Sequence, residues 1–182
     1  MKDYEARHIF MAFGLGILAL SPYLLVMLPL PLASTLYESP VTWVVSVPKN
    51  IYLFYGVGLF LLIFAFFLLF LLSLNKASKM ISGVCLFFSV LFIAHGTQQY
   101  TAVTSEGISF KQTIWEGTQS YSWDEIEKVV YRENRMSGNF PMFEFHFVDG
   151  NMRNLQENRS VQPWYRMIKD KLDSLDTKFE RR

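Results

Sequence analysis

"IYLFYGVGLFLLIFAFFLLFLLSL", residues 51–74, is the most apolar run of the chain, and a helix built from it has no polar side. A hydrocarbon core of about 30 Å is crossed by roughly 20 helical residues. This run of 24 residues is long enough. A surface helix of a water-soluble protein keeps a polar face, which is absent here. The stretch therefore predicts a transmembrane helix.

A second apolar run precedes it at residues 8–37, which carry no formal charge. It predicts a span at about 9–30, in which Pro22 kinks the helix and Ser21 satisfies the carbonyl group that the proline leaves free. A cleaved signal peptide is the alternative interpretation. Against it, the apolar part is too long for a signal peptide, and no small-x-small cleavage site follows.

A third run predicts a shorter span at about 79–96, with Lys79 snorkelling to one interface and His95 at the other. The chain is thus expected to divide into a transmembrane domain, 1–96, and a water-facing module, 97–182. The module holds 12 of the 17 basic and 13 of the 16 acidic residues. Because it has no basic excess, we expect no nucleic-acid partner.

The basic residues near the span ends predict the orientation. Lys2 and Arg7 precede the first span, and "NKASK" at 75–79 joins the second to the third. The connection at 31–50 has only Lys49, and no basic residue follows the third span until Lys111. We therefore expect a multi-pass protein of a bacterial inner or plasma membrane, with its N-terminus in the cytoplasm and its C-terminal module outside.

The first connection contains "SPVTWVVSVPK", residues 39–49, which is β-branched and apolar with Trp43 at its centre. Prolines at both ends exclude a helix. We predict a short extended segment at the membrane interface, where tryptophan is favoured. It is either a hydrophobic linker, the interpretation we favour, or a contact surface for the module.

After residue 97 the pattern changes to short β-rich runs separated by glycine-containing turns, typical of hairpins. In "FPMFEFHFVDG" (140–150) three phenylalanines alternate with Glu144 and His146, which predicts a strand with one buried face. Ser122 and Glu125 have capping-box spacing. The other predicted strands are 98–104, 108–115, 118–122, the residues from about 126 to 136, and 151–156.

The end of the module predicts a helix at about 160–175, with Ser160 as N-cap and Pro163 in the first turn. Its apolar residues recur on one face: Val161, Trp164, Ile168, Leu172 and Leu175. The tail from Thr177 is charged and is expected to fray. A small curved sheet or barrel capped by the helix buries both apolar faces.

"TSEGISF" (104–110) and "YSWDEIEKVVY" (121–131) resemble the bacterial pleckstrin-homology-like (PH-like) domain that follows membrane spans in many small proteins. The resemblance covers roughly 98–176. It implies an α+β, mostly β split barrel closed by a C-terminal helix, which binds proteins or ligands and does not catalyse. Gly107 is expected at a turn position with positive φ, and Trp123 and Ile126 are expected to pack on the sheet.

Eukaryotic relatives bind phosphoinositides through a basic cluster around the first hairpin, where this sequence has only Lys111. This difference argues against a phosphoinositide partner. Some membrane proteins with similar domains protect their own cell against bacteriocins.

The residues offer weak candidates for a site. Four arginines of the module, Arg132, Arg135, Arg153 and Arg159, either converge on an anionic ligand or are scattered on the surface, which is the default. Asp124, Glu125 and Glu127 are more typical of a solvated turn than of a cation site. One histidine in the module and the single cysteine, Cys85, in the stem supply no metal site, cofactor site or catalytic set.

We therefore expect a membrane-anchored, non-catalytic adaptor that presents its module to a membrane or envelope protein, a peptide or another envelope ligand. The alternative is a transport-related or bacteriocin self-immunity protein. Charged residues are absent from the interior of the spans, which disfavours transport. Liposome flux, or survival of cells that express the stem alone under bacteriocin challenge, would favour the alternative.

Overall fold

The structure is a computed structural model that describes residues 2–113, 115–133, 141–156, 161–175 and 177–181, with side chains from residue 6 onward. The chain forms two compact units. Residues 1–32 and 48–99 make the helical unit, and residues 33–47 and 100–182 make the strand unit. We expected one division at residue 97, whereas residues 33–47, from the first connection, cluster with the later strands.

Three helices of the helical unit are long and apolar enough to cross a membrane. They are α1 (Lys2–Met27), α3 (Ile51–Leu71) and α4 (Lys76–Thr97); a short helix, α2 (Pro29–Tyr37), follows α1. The spans comprise residues 6–27, 51–71 and 76–97, close to the predicted 9–30, 51–74 and 79–96. The three apolar runs of the sequence are thus confirmed as helices of spanning length.

Pro22 lies inside α1. A proline at this position cannot donate to the carbonyl group of Leu18, four residues earlier. Ser21 Oγ donates to that oxygen instead, at 2.8 Å, as predicted. A backbone carbonyl group without a hydrogen-bond donor costs on the order of several kcal/mol of stability in the bilayer core. The hydrogen bond from Ser21 avoids this cost and makes the proline tolerable.

Small residues of α4 hold it against α3. Ser89 Oγ donates to the carbonyl oxygen of Gly58 at 2.7 Å, and Ser82 Oγ donates to that of Ala65 at 3.0 Å. A Cβ atom at Gly58 would lie 2.6 Å from Ile93 Cγ1. Close approach at small residues and interhelical hydrogen bonds are the usual means of helix association in lipid.

The strand unit contains two four-stranded sheets. In sheet 1 the order is β1-β2-β3-β4, and in sheet 2 it is β7-β6-β5-β8. Sheet 1 comprises β1 (Thr42–Ser46), β2 (Tyr100–Thr104), β3 (Gly107–Lys111) and β4 (Gln119–Ser122). Sheet 2 comprises β5 (Ile126–Arg132), β6 (Met142–Phe147), β7 (Met152–Gln156) and β8 (Lys178–Arg181). Together with the terminal helix α5 (Tyr165–Ser174), they form the split barrel that the resemblance implies.

The segment that we favoured as a linker is β1, which pairs antiparallel with β2. It is extended, as predicted, but it belongs to the sheet. Val44 joins the core between the sheets, and Val45 joins a second cluster on the outer face with Tyr100 and Ala33. Helices α3 and α4 are therefore inserted in sequence between the first two strands of the sheet.

The core of the strand unit lies between the two sheets and α5. Phe143, Phe145 and Phe147 of β6 are all 0% exposed, as the alternation predicts, although Glu144 on the other face is also buried, at 8%. Ile168 and Leu172 of α5 are also fully buried. The sequence therefore predicted these buried residues correctly, whereas Leu175, which it also placed on the apolar face of the helix, is 36% exposed and follows the end of α5.

The C-terminal end differs from the prediction in two ways. A 3₁₀ turn at Gln162–Trp164 precedes α5, so the α-helix begins at Tyr165; the predicted cap, Ser160, lies outside the described residues. The tail is not frayed, since β8 pairs parallel with β5. Phe179 packs against the core, and Lys128 Nζ lies 3.0 Å from Glu180 Oε1, which explains the order of this charged segment.

Two glycines of the strand unit are required for different reasons. Gly150 has φ +83° in the Asp-Gly turn between β6 and β7, as a hairpin turn demands. Gly107 lacks the positive φ that we predicted. It is needed because a Cβ atom there would overlap the carbonyl oxygen of Tyr121 on the neighbouring strand.

Candidate ligand-binding site

The edge of sheet 1 at β4 is the most open strand edge of the described chain. β4, "QSYS", has no charged residue, and Gln119, Ser120 and Ser122 are exposed. By contrast, the last three residues of β1 are buried, while β7 and β8 carry charged side chains. Natural edge strands are usually protected by charge, proline or cover, so an uncharged exposed edge is a candidate pairing surface.

The turn that follows β4 is held rigidly. The carboxylate of Glu125 accepts hydrogen bonds from the backbone N–H of Ser122 at 2.7 Å and from its Oγ at 3.1 Å, which confirms the predicted pairing. Trp123 is buried, and its Nε1 donates to the carbonyl oxygen of Thr104 at 3.1 Å. These contacts fix the end of β4, as expected for Trp123 acting structurally.

Tyr121 is the central side chain of this edge. Its ring stacks on Phe147, with ring centroids 3.9 Å apart. Its hydroxyl group donates to Asp149 Oδ2 at 2.7 Å and accepts a hydrogen bond from Asn151 Nδ2, also at 2.7 Å. The aromatic ring thus belongs to the core, while the hydroxyl group belongs to a polar cluster at the surface.

The polar cluster shifts the titration of both acidic groups. The hydrogen bond from Tyr121 lowers the pKa of Asp149, and the backbone N–H of Asn151 lowers it further. The same hydrogen bond to Asp149 is the main reason that the pKa of Tyr121 is raised. Asp149 therefore stays ionised at neutral pH and is a weak base, which suits ion pairing better than proton transfer.

A groove lies on each side of β4. The first has a volume of about 340 Å³ and the second of about 450 Å³. The first is lined by residues that include Ser109, Ser120, Ser122, Thr104 and Glu106. The second is lined by Tyr121, Asp124, Glu125, Val148 and Asp149. Ser120 and Ser122 line only the first groove, whereas Tyr121 lines both, so the two grooves meet at this tyrosine.

The charge of both grooves is negative. Glu106 lines the first groove, and three carboxylates line the second, whereas no lysine or arginine among the described residues lines either groove. Glu125 and Asp149 are hydrogen bonded within the protein. Within the described ranges, the side chains of Glu106 and Asp124 have no ion-pair partner. The arrangement is therefore suited to a positively charged ligand.

The predicted arginines are not brought together where the structure describes them. Arg132 Nε lies 2.7 Å from Glu144 Oε1, on the outward face of sheet 2. Arg153 is opposite Phe145 and lies on the inward face of the same sheet. Arg135 and Arg159 lie outside the described residues.

Arg153 joins the two sheets. Its Nε and Nη2 donate to Thr101 Oγ1 on β2, at 3.0 and 2.9 Å. Its guanidinium carbon lies 4.8 Å from the centroid of the Phe110 ring on β3. Burial lowers the pKa of this arginine. These contacts link β7 of sheet 2 to β2 and β3 of sheet 1.

The other candidate groups are also separated. Glu125 of the acidic turn is occupied by the cap at Ser122, which leaves Asp124 and Glu127. His146 is opposite Lys128 on the outward face of sheet 2. Among the residues that the structure describes, no three His, Cys, Asp or Glu side chains lie close enough to hold a metal ion.

Sequence analysis missed the cluster of Tyr121, Asp149 and Asn151. The Asp-Gly dipeptide predicted a turn, and Tyr121 was placed on a strand, but 28 residues separate the tyrosine from the aspartate. Nothing local in the sequence reports that contact. The one feature of the sequence that pointed to this region was an uncharged strand, β4, followed by acidic turn residues.

Comparison with protein families gives a match. A protein-family model described as a bacterial PH domain matches residues 47–153, which is more than half of the chain. The match includes α3, α4 and the strands from β2 to the beginning of β7, but neither β1 nor α5. No curated protein matches the sequence significantly.

Proposed function

The chain belongs to the bacterial PH domain family, and from this premise we propose a membrane-anchored, non-catalytic binding protein. Its strand unit binds an extended, positively charged segment of a membrane or envelope protein along β4. The observation that carries the proposal is an uncharged edge strand with a groove on each side. Strand addition at such an edge supplies main-chain hydrogen bonds, and pockets for alternate side chains supply specificity.

The geometry supports an extended ligand more than a compact one. A strand placed beside β4 directs its side chains alternately to the two faces of the sheet. Basic side chains on one face would approach Glu106, and those on the other face would approach Asp124 and Asp149. The exposed Val148 offers an apolar contact in the second groove.

Membrane anchoring supports binding of modest intrinsic affinity. Two proteins confined to one membrane meet at a raised effective concentration, so a four-residue edge is sufficient for a transient contact. The lowered pKa of Asp149 favours a fixed negative charge over general-base catalysis. We therefore propose recognition rather than a reaction.

We further propose that the strand unit lies outside the cytoplasm of a bacterial cell. Arg7 contacts Ser73, in the turn between α3 and α4, with Nη1 3.3 Å from Oγ. The beginning of α1 and this turn therefore share one end of the helical unit, together with Lys76 and Lys79. The positive-inside rule favours the cytoplasm for that end.

The binding proposal is tested with defined peptides and the full chain in lipid nanodiscs. The probe is a fluorescent peptide that alternates Lys with Val or Thr, and its two controls carry Glu in place of Lys or N-methyl groups on alternate backbone nitrogens. We expect saturable binding of the first peptide alone, since the controls lose charge complementarity or main-chain pairing. Hydrogen exchange is expected to slow at β4 and not at β8.

Charge reversal assigns the binding to the grooves. We expect Glu106→Lys with Asp124→Lys to weaken binding about tenfold or more, equivalent to about 1.4 kcal/mol. Asp170→Lys, an exposed residue of α5, is the matched control and should have little effect. Equal binding of the Lys and Glu peptides would refute the proposal. An equal loss of binding in the double variant and in Asp170→Lys would also refute it.

A further inference from the structure

Trp115 is the most exposed large hydrophobic side chain of the described residues, at 92%. It lies in the connection between β3 and β4, residues 112–118. Trp115 makes no ring contact with the part of the chain that the structure describes. Tryptophan normally buries a large apolar ring in a core or an interface, so full exposure to water is unfavourable.

The strand register shows which end of sheet 1 carries this tryptophan. Lys111 is opposite Tyr100, and Gln119 is opposite Phe110, so the connection between β3 and β4 begins beside the first residue of β2. Ser46, the last residue of β1, is opposite Thr101 at the same end. Trp115 is therefore at the end of the sheet where β1 finishes and β2 begins.

This is also the end at which the chain leaves for α3 and returns from α4. Thr97 ends α4, and only residues 98 and 99 separate it from Tyr100. Residues 47–50 separate β1 from Ile51, the first residue of α3. The three steps from Thr97 to Tyr100 extend the chain by at most about 10.5 Å, at roughly 3.5 Å for each. The strand end is thus tethered close to the ends of two helices of spanning length.

We propose that Trp115 inserts into the headgroup region of the bilayer and that the described residues that follow it in the connection, 116–118, lie beside the membrane surface. Tryptophan is enriched at this depth because its ring is apolar and its indole N–H can still reach polar groups. The backbone N–H of Glu116 donates to Thr113 Oγ1 at 3.3 Å and gives the loop a local turn. Such a membrane contact would hold this end of the strand unit at the membrane surface, and it would not require recognition of a particular lipid headgroup.

The grooves beside β4 are at the opposite end of sheet 1. Gly107 and Ser122 pair there, and both line the first groove. Val148, the next most exposed large apolar side chain among the described residues of the strand unit at 70%, lines the second groove. The inference about Trp115 is independent of the proposed binding function, because neither groove is lined by residues 112–118.

The experiment measures the depth of position 115 in the full chain reconstituted into liposomes. Cys85→Ser supplies a cysteine-free background. A polarity-sensitive fluorophore is attached at Trp115→Cys and, as the matched control, at Val148→Cys. Nitroxide-labelled lipids should quench roughly half of the emission at position 115, because the headgroup depth brings label and quencher into contact. Emission at position 148 should stay unchanged.

A second measurement leaves the cysteine in place. Brominated lipids quench tryptophan, and the chain has four, at positions 43, 115, 123 and 164. We expect Trp115→Phe to remove most of the quenchable emission, while Trp164→Phe leaves it. Equal quenching at positions 115 and 148, or no loss of quenching in Trp115→Phe, would overturn the inference.

Discussion

Tyr121 shows how one residue serves both the core and the candidate site. Its ring stacks on Phe147 and also contacts Phe110, with centroids 3.9 and 5.9 Å away. Its hydroxyl group lies at the surface beside Asp149. Any ligand that approaches the carboxylate of Asp149 therefore meets a tyrosine whose position the core determines.

The hydrogen bond from Tyr121 to Asp149 predicts a specific pH dependence. The folded pKa of Asp149 is below its unfolded value of about 3.9. Its contribution to stability is thus fully present above that unfolded value and is lost as the pH falls through the folded pKa. The folded pKa of Tyr121 is raised, so its contribution is present below its unfolded value of about 10 and is lost as the pH rises through the folded pKa.

We therefore expect Tyr121→Phe to lower the thermal midpoint of the full chain in detergent between about pH 5 and pH 9. The difference from the unchanged chain should shrink toward more acidic and more alkaline pH. Tyr23→Phe, which removes an exposed hydroxyl group from α1, is the control. A constant difference across the whole pH range would contradict the linkage.

Gly107 and Gly117 form a natural pair for a packing test. A Cβ atom at Gly107 would overlap the Tyr121 carbonyl oxygen and lie 2.9 Å from Ser122 Cα, whereas one at Gly117 meets nothing within 4 Å. We expect Gly107→Ala to destabilise the fold by about 1–3 kcal/mol, as overpacking does. Gly117→Ala should change the stability by less than about 0.5 kcal/mol. Thermal unfolding of both variants checks this, and equal midpoints would disprove the role of Gly107.

At the scale of the elements, local pattern predicted what local physics controls. The apolar runs are helices of spanning length, and the alternation of β6 and the apolar face of α5 both appear in the core. The pairing of β1 with β2 was not predicted, because 53 residues separate Ser46 from Tyr100. Its apolar, β-branched pattern indicated an extended segment. The same composition suits both a lipid interface and a strand of a sheet, so the pattern does not distinguish between them.

The charged tail was misjudged for a related reason. Lys178, Glu180 and Arg181 are typical of a solvated end, and only Phe179 indicates burial. The partners that order β8 lie about fifty residues earlier, on β5: Lys128 pairs with Glu180 and Val129 is opposite Phe179. Composition reports the charge of a segment, but it does not report a complementary strand elsewhere.

A disulfide tests the insertion of α3 and α4 between paired strands. Val45 is opposite Ala102, so Val45→Cys with Ala102→Cys, in a Cys85→Ser background, should place Cα atoms within the disulfide range of about 4.4–6.8 Å. A protease site added between Leu74 and Asn75 then allows the chain to be cut in detergent. We expect the two fragments to stay joined on a non-reducing gel and to separate after reduction.

The control pairs Val45→Cys with Ser109→Cys. β2 lies between β1 and β3, so these positions are about 10 Å apart, beyond the reach of a disulfide. Crosslinking of both pairs to the same extent would mean that the strands are not held in this register. Separation of the Val45–Ala102 fragments without reductant would remove β1 from the sheet.

At the scale of the whole molecule, strand pairing constrains the membrane topology. β1 precedes α3, β2 follows α4, and the two strands are hydrogen-bonded neighbours. Both must therefore be in one compartment, so the chain between them crosses the membrane an even number of times. Two spans, α3 and α4, satisfy this condition, and α1 then puts the N-terminus in the other compartment.

Two reporter positions separate the topology from the orientation. A fluorescent protein that folds only in the cytoplasm and an alkaline phosphatase that is active only outside it are inserted between Leu74 and Asn75 or fused after Arg182. Three spans predict opposite signals at the two positions. The basic Lys76 and Lys79 predict that the inserted reporter fluoresces and that the C-terminal phosphatase is active. Identical signals at both positions would disprove the three-span arrangement. Opposite signals in the reverse order would disprove only the proposed orientation, and the partner of β4 would then be a cytoplasmic segment.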